Sequence, residues 1–436
     1  MSLCTLAKII WNAMNTKFEK SIFFDKFISE LNKCAEDWKK ESTDPQLLAP
    51  IVTLCQSTGH GKTKFMKEFS ENYLSIFMCL RDKSEFGCPY GSNIADCFLE
   101  STNEEKSCIL FLYSLINVSL NFIEEIKKKN VNIAQEFMSY QPWTMGENFL
   151  NDNKELNKKQ NEFHDSVILN YNEETKKNSN INETIERLKF KLKKIIKDQA
   201  LFVLIDEAKG LLKLSNVDNK ESKLQVLRSS IIKMFTDVKI VFLLTDTNSK
   251  ISNFTPAKNT VGSRFYINKP LYETLSTDLL LPNEYKSKMK NVETFNYSDL
   301  LTRDPFKTLF YYGRPLWGSL LANNYPTILE LAQEKLICSS DWSLVKDADK
   351  TFATLSIICS RTTLLLTYNS NFNSNLVSKF MSTLYYVNDD LTELHVRYIS
   401  EPILAVAASL IMSKQENLTS ILNNLNNYTE MYTRHF

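Results

Sequence analysis

The sequence contains four short runs of mostly apolar residues. They occupy residues 50–55, 74–81, 201–206 and 239–246. Runs in which nearly every residue is apolar are typical of strands that are buried on both faces of a sheet. The segment 64–73 has helical spacing, and so does the segment 224–234 between the last two runs. A strand, a glycine-bearing loop, a helix and a second strand predict a βαβ unit, and therefore a parallel sheet.

The pattern predicts three parts. Residues 1–45 are expected to form a helical lead-in, residues 46–295 the sheet domain, and residues 296–436 a mostly helical lid or partner domain. A long helix is predicted over 104–129. Residues 148–182 are rich in Asn, Lys and Glu with little periodicity, so we expect an exposed insertion there. Beyond about residue 295 no clear strand pattern persists.

Charge and composition narrow the classes of function. Lys and Arg number 52 and Asp and Glu 51, so no global field attracts nucleic acid, which would need a local basic patch. No apolar run of 18 residues occurs, so we expect no membrane-spanning helix and no membrane partner. Nine cysteines without CxxC spacing and four histidines predict no zinc site. Reduced thiols in the cytoplasm or nucleus, with no secretory signal, are the simplest interpretation.

The stretch LCQSTGHGKTK, residues 54–64, ends as a phosphate-binding loop ends. Such a loop aims backbone N–H groups at phosphate from a helix N-terminus, and its glycines adopt positive φ. Lys62 would reach the terminal phosphates and the Thr63 hydroxyl would ligate Mg²⁺. The predicted nucleotide-binding residues of the loop are Ser57, Thr58, Gly59, His60, Gly61, Lys62, Thr63 and Lys64. Gln56 departs from the common pattern, which has its first glycine there. The alternative is a strand-to-helix turn with an incidental lysine.

A second part of a nucleotide site follows the apolar run at 201–206. ATPases of this class place a carboxylate at the end of a neighbouring buried strand, on the Mg²⁺ side, and often a glutamate beside it that handles water. Asp206 would be the Mg²⁺-side acid and Glu207 the catalytic base. The alternative is an acidic pair that caps a helix. Both motifs in the right order favour an α/β fold of P-loop NTPase type that binds ATP and Mg²⁺, with Thr63 and Asp206 as metal ligands.

Three weaker signals have equally simple alternatives. Thr245 lies near the end of the run at 239–246 and could sense the γ-phosphate, or it could serve only turn chemistry. Arg264 could stabilise charge in the transition state as a catalytic residue, or it could be a surface arginine. The predicted helix over 185–197 carries several Lys and Arg residues, which suit a nucleic-acid patch or simply the solvated face of an amphipathic helix.

Several stretches together resemble the P-loop ATPase modules of crinkler and retrotransposon-hot-spot type proteins. They are QSTGHGKTK, FMCLRDKSEFGCP, FVLIDEAKGLL, FLLTDTNSKISNFTP, GSRF, GRPLWGSLL and YISEPILAVAAS, between about 50 and 410. The segment at 311–321 also resembles the Gly-x-Pro-Leu element of STAND ATPases. That resemblance implies that Pro315 contacts the nucleotide and that Arg314 approaches phosphate. From the residues alone, a proline in the first turn of a helix is the alternative.

These observations predict ATP binding with slow Mg²⁺-dependent hydrolysis that acts as a conformational switch. Nucleotide is the expected partner, and self-association or a protein client is left open. The resemblance implies an effector-type ATPase module without an effector head. Two other interpretations remain at this point: a nucleotide-binding scaffold without turnover, and a DNA-acting protein with a degenerate nuclease-like site.

Overall fold

The computed structural model describes most of the chain. The described residues are 22–39, 46–82, 91–141, 154–177, 180–215, 221–247, 265–266, 268, 271–272, 309–362, 365–366, 370–388 and 393–433.

Nine strands form the sheets of the described residues. They are β1 (Gln46–Leu47), β2 (Ile51–Cys55), β3 (Ser75–Cys79), β4 (Leu201–Asp206), β5 (Ile240–Asp246), β6 (Phe265–Tyr266), β7 (Leu365–Leu366), β8 (Thr383–Val387) and β9 (Leu394–Arg397). The central sheet is parallel, in the order β2-β5-β4-β3, and β1 pairs in parallel with β6. The four predicted strands and the parallel sheet are confirmed.

The longer helices of the described residues number fourteen. They are α1 (Ile22–Lys39), α2 (Lys62–Ser70), α3 (Ala95–Ser101), α4 (Glu105–Lys127), α5 (Ile133–Met138), α6 (Lys154–Lys176), α7 (Ile181–Ile196), α8 (Lys223–Met234), α9 (Pro315–Ala322), α10 (Ile328–Ile337), α11 (Asp347–Thr362), α12 (Ser370–Lys379), α13 (Pro402–Met412) and α14 (Gln415–Thr433). Short 3₁₀ turns follow β4, at Ala208–Leu212, and α10, at Trp342–Leu344. The predicted long helix at 104–129 is confirmed as α4.

Helices cover both faces of the central sheet. On one face, alternate strand residues such as Met78 and Ile205 pack against a cluster built mainly on α4, α6, α7 and α8. On the other face, Phe77 and Leu204 pack against α1 and α2. Because every residue of the four strands is buried, the strands read as continuous apolar runs rather than as alternating ones. The fold is an α/β sandwich, a parallel four-stranded sheet between two helical layers, followed by a mostly helical part.

The segment predicted as an exposed insertion is largely a helix of the core. Helix α6 packs along α4, and its Phe163 and Val167 are fully buried. These residues are four apart and therefore lie on one helical face. The expectation of an exposed, aperiodic segment is wrong for residues 154–176, because a composition rich in Asn, Lys and Glu hid a narrow apolar stripe.

The C-terminal part has its own hydrophobic core and a small sheet. Helices α9 to α13 enclose a cluster around Trp317, Leu336 and Ile403. An antiparallel sheet in the order β7-β9-β8 packs into the same cluster. The sequence shows no clear strand pattern beyond about residue 295, yet three short strands lie there. These strands have two to five residues, which is too short for a period of two to stand out from helical neighbours.

Helix α4 is strongly apolar. By length and composition it is apolar enough to cross a bilayer, and it is the one helix of the described residues that passes this test. In the structure it is the central helix of the larger core, where 14 of its residues are buried and α3, α5, α6, α7 and α8 contact it.

Candidate functional site

The loop between β2 and α2 has the backbone that close approach of a ligand requires. Gly59 and Gly61 adopt φ values of +88° and +83°, which side-chain-bearing residues rarely tolerate. The space beside Gly61 is open, since a Cβ added there would meet no atom within 4 Å. Helix α2 begins directly after Gly61, so the unpaired N–H groups of its first turn lie at the same place. An anion fits this position.

Lys62 lies across the loop. Its Nζ donates hydrogen bonds to the carbonyl oxygens of Gln56, at 2.6 Å, and Ser57, at 3.2 Å. Burial lowers the pKa of Lys62, while the carboxylates of Glu207 and Asp206 oppose that effect. A buried lysine with acidic groups nearby supplies a positive charge beside the open space at Gly61.

Asp206 joins the two predicted motifs at the end of β4. Its Oδ2 accepts a hydrogen bond from the Thr63 hydroxyl at 2.7 Å. Its Oδ1 accepts bonds from the Thr245 hydroxyl at 2.5 Å and from the backbone N–H of Glu207 at 3.0 Å. Thr245 reaches Asp206 because β5 lies between β2 and β4 in the sheet. A hydroxyl and a carboxylate oxygen side by side are the hard donors that suit Mg²⁺, so these residues fit the predicted metal.

Glu207 lies beside Asp206 but is held by a residue that the sequence did not single out. Its backbone has a φ of +54°, and its Oε1 accepts a hydrogen bond from the Arg81 guanidinium at 2.8 Å. Arg81 follows β3, whose Cys79 is in register with Asp206. The carboxyl ends of neighbouring parallel strands meet at one edge of a sheet, so the position of Arg81 at the end of the run at 74–81 was a usable signal.

Arg314 contacts the loop from the C-terminal part. Its Nη1 donates to the carbonyl oxygen of Thr58 at 2.8 Å and lies 3.2 Å from Oγ of Ser57. The rest of the guanidinium forms a buried ion pair with Glu401, with an Nη2–Oε1 distance of 2.6 Å. Arg314 therefore binds the backbone of the phosphate-type loop, and the two distinctive stretches GRPLW and SEPILAVAA meet in this ion pair. Pro315 is buried and begins α9, as the simpler interpretation expected.

Two further residues of the loop face the C-terminal sheet. The side-chain amide of Gln56 is hydrogen-bonded to the backbone of Leu384 in β8. Nε2 of His60 lies 3.3 Å from the Thr383 hydroxyl. Burial lowers the pKa of His60 well below its usual value, and Arg314 and Lys62 add to the effect. This shift favours the neutral form of His60. Because Gln56 and His60 both contact β8, the loop is also part of the contact with the C-terminal sheet.

Two predicted residues remain, Lys64 and Arg264. Lys64 forms an ion pair with Glu68 of the same helix, with an Nζ–Oε1 distance of 3.1 Å. Arg264 lies outside the described residues. Burial lowers the pKa of Lys335 in α10, and the charges of Arg314 and Arg81 act in the same direction.

The basic face of α7 makes contacts within the chain. Lys191 donates a hydrogen bond to Oδ1 of Asn117 at 2.7 Å, and Lys189 pairs with Glu186 at 3.1 Å. These contacts fit a solvated helix face with local partners. They give no separate support to a nucleic-acid patch.

The chain is similar to two protein families and to a solved structure. Residues 19–275 match the family described as a domain of unknown function (DUF8735), and residues 344–431 match another domain of unknown function (DUF8736). No curated protein matches the chain. Among solved structures, it is similar to the Walker-type ATPase PABY2304 of Pyrococcus abyssi at 13% identity and a TM-score of 0.35. That likeness covers 87% of this chain and 95% of the other. At such values it carries no inference about the site. The crinkler resemblance stays a prediction.

Proposed function

The chain belongs to the family described as a domain of unknown function (DUF8735), and we propose that it is a Mg²⁺-dependent ATP-binding P-loop module. One observation carries the proposal. The Thr63 hydroxyl of the glycine loop and the Asp206 carboxylate at the end of β4 lie 2.7 Å apart, and the buried Lys62 directly precedes Thr63. A loop that bound no phosphate would need neither this convergence nor the open side of Gly61.

Each residue has a definite role in this proposal. The N–H groups at the start of α2 and the Lys62 ammonium would hold the β- and γ-phosphates. Thr63 and Asp206 would hold Mg²⁺, which when bound neutralises phosphate charge. Thr245 keeps the Asp206 carboxylate in place through its hydrogen bond. Chemistry at such a site consists of positioning and charge stabilisation.

Hydrolysis is proposed to be slow because the candidate base is restrained. A carboxylate oxygen that is bonded to a guanidinium is less available to a water molecule than a free one. Glu207 is in this state, since Arg81 contacts its Oε1 at 2.8 Å. Oε1 of Glu207 can contact a water molecule only when this ion pair opens. Slow turnover and a loop in contact with the C-terminal part are what a nucleotide-dependent switch requires.

Calorimetric titration with Mg-ATP tests the proposal. The wild-type chain is expected to bind, and Lys62→Ala is expected to lose the binding because the phosphate charge is left uncompensated. Lys67→Ala is the matched control, since this lysine lies in the same helix, outside the predicted binding residues, and pairs with Glu71. Equal loss in both variants, or no binding by the wild-type chain, would refute a nucleotide site at this loop.

A scaffold that binds nucleotide without turnover is the second candidate, and the Arg81–Glu207 pair is the observation that favours it. Release of inorganic phosphate decides between the two. Turnover that needs Lys62 and falls in Glu207→Gln supports the ATPase. Lys62-dependent binding of ATP with no phosphate release supports the scaffold. The crinkler-type role and a protein client remain proposals that rest on the sequence resemblance alone.

A further inference from the structure

Gln56 uses the whole hydrogen-bonding capacity of its side-chain amide. Its Nε2 donates to the carbonyl oxygens of Leu384, at 3.1 Å, and Tyr272, at 3.0 Å. Its Oε1 accepts from the backbone N–H groups of Leu384, at 2.9 Å, and Ser57, at 3.0 Å. The side chain is 1% exposed. A glycine, which is common at this position of a phosphate loop, could make none of these side-chain contacts.

The amide completes the edge of the C-terminal sheet. Strand β8 is an outer strand of that three-stranded sheet. Outer strands present N–H and C=O groups that need a partner. The side chain of Gln56 satisfies both groups of Leu384, as a neighbouring strand would. The phosphate-type loop therefore supplies one element of a sheet that is 328 residues away in the chain.

Other contacts also join the loop after β2 to the C-terminal part. Arg314 donates to the carbonyl oxygen of Thr58 at 2.8 Å, and His60 lies 3.3 Å from Thr383. A Cβ added to Gly59 would approach Cβ of Leu316 to 2.8 Å, so α9 also packs tightly on the loop. The first half of the loop is thus covered by the C-terminal part, while Gly61 is left open.

We propose that Gln56 is a positioning residue that couples nucleotide binding at the loop to docking of the edge strand β8. The inference rests on the proposed function and extends it. It gives a role to Gln56, which stands where the common loop pattern has its first glycine. It also makes the C-terminal sheet a part of the nucleotide site.

The direction of the coupling follows from the state of the loop. In the docked chain the loop already has its glycines at positive φ and α2 beginning at Lys62. A loop held in its binding conformation loses less entropy when a ligand binds. Docking of β8 therefore favours nucleotide binding. By thermodynamic reciprocity, nucleotide then favours docking of β8 to the same extent.

Affinity gives the first test. Gln56→Gly restores the common loop pattern, yet it is expected to bind Mg-ATP about tenfold more weakly, which corresponds to about 1.4 kcal/mol. Gln56→Met keeps the volume without the amide and is expected to show a similar loss. Gln141→Met is the matched control, because the buried amide of Gln141 accepts from Phe77 of β3 instead of from the C-terminal sheet. That variant is expected to keep wild-type affinity.

Hydrogen exchange gives the second test, in the full chain. The backbone N–H of Leu384 donates a hydrogen bond to Oε1 of Gln56. Exchange of this amide proton therefore reports the contact directly. Without nucleotide, exchange at Leu384 is expected to be faster in Gln56→Met than in wild type, with β2 to β5 unchanged. Mg-ATP is expected to slow exchange at Leu384 in wild type and not in the variant.

The outcomes separate the two proposals. If the wild-type chain binds no Mg-ATP, the proposed function is overturned and the coupling with it. If it binds, but nucleotide leaves Leu384 exchange unchanged, the coupling alone is overturned. Equal or tighter binding by both Gln56 variants also overturns it, because the sheet would then be irrelevant to the loop or inhibitory.

Discussion

The ion pair between Arg314 and Glu401 should be the most sensitive point of the contact between the two parts of the chain. Both side chains are 0% exposed. Glu401 accepts from Nε and Nη2 of Arg314, with distances of 2.6 to 2.9 Å, and from Nε1 of Trp317 at 2.9 Å. The same guanidinium donates to the carbonyl oxygen of Thr58 in the loop.

Arg314→Met keeps much of the side-chain length and removes the charge. The Glu401 carboxylate would remain buried. Of its side-chain donors named here, it would lose those of Arg314 and keep Nε1 of Trp317. Breaking a buried pair in this way typically costs about 3–5 kcal/mol. Replacing both partners with apolar residues removes the uncompensated charge, so Arg314→Met/Glu401→Leu should be clearly more stable than either single variant.

Urea unfolding followed by tryptophan fluorescence measures these differences. Lys239→Met is the matched control. It breaks an ion pair of similar length, 2.6 Å to Glu36, but that glutamate is 54% exposed, so the cost should stay under about 1 kcal/mol. If Arg314→Met costs no more than this control, or if the double variant is no better than the worse single one, the burial argument fails.

Two further predictions concern the candidate base and pH. Arg81→Gln frees Glu207 from its ion pair, so Mg-ATP hydrolysis, measured as phosphate release, should rise several-fold; an unchanged rate would show that Arg81 does not restrain it. Burial lowers the pKa of His164 to about 4 from 6.5. As pH falls, His164 is therefore protonated in the unfolded chain at a higher pH than in the folded chain. The stability linked to His164 is therefore complete above pH 6.5 and is lost between 6.5 and about 4, by about 3 kcal/mol. His164→Leu should flatten that part of the pH–stability curve; equal curves for His164→Leu and wild type would refute this.

The core of the candidate site was predictable because its signals are local. A strand buried on both faces must be apolar throughout, and β2 and β4 show this directly in the sequence. The turn after β2 must adopt positive φ, which glycine permits, and Gly59 and Gly61 do so. Parallel strands then bring Thr63 to Asp206 by topology alone.

The errors have an equally physical origin. Helix α6 was predicted as an exposed segment because its few apolar residues are diluted by Asn, Lys and Glu, although Phe163 and Val167 form a buried stripe. The C-terminal strands were missed because short strands carry too few residues for a period of two to be recognised.

The sequence by itself determined the parallel sheet, the glycine loop and the acid that meets it, because each depends on spacing within a few residues or on the burial of a whole run. Only the tertiary structure decided what surrounds them. Arg81 reaches Glu207 across 126 residues, Arg314 reaches Glu401 across 87, and Gln56 reaches Leu384 across 328. A hydrogen bond over such a separation leaves no periodic trace in the chain, since it depends on where packing of two cores brings the side chains.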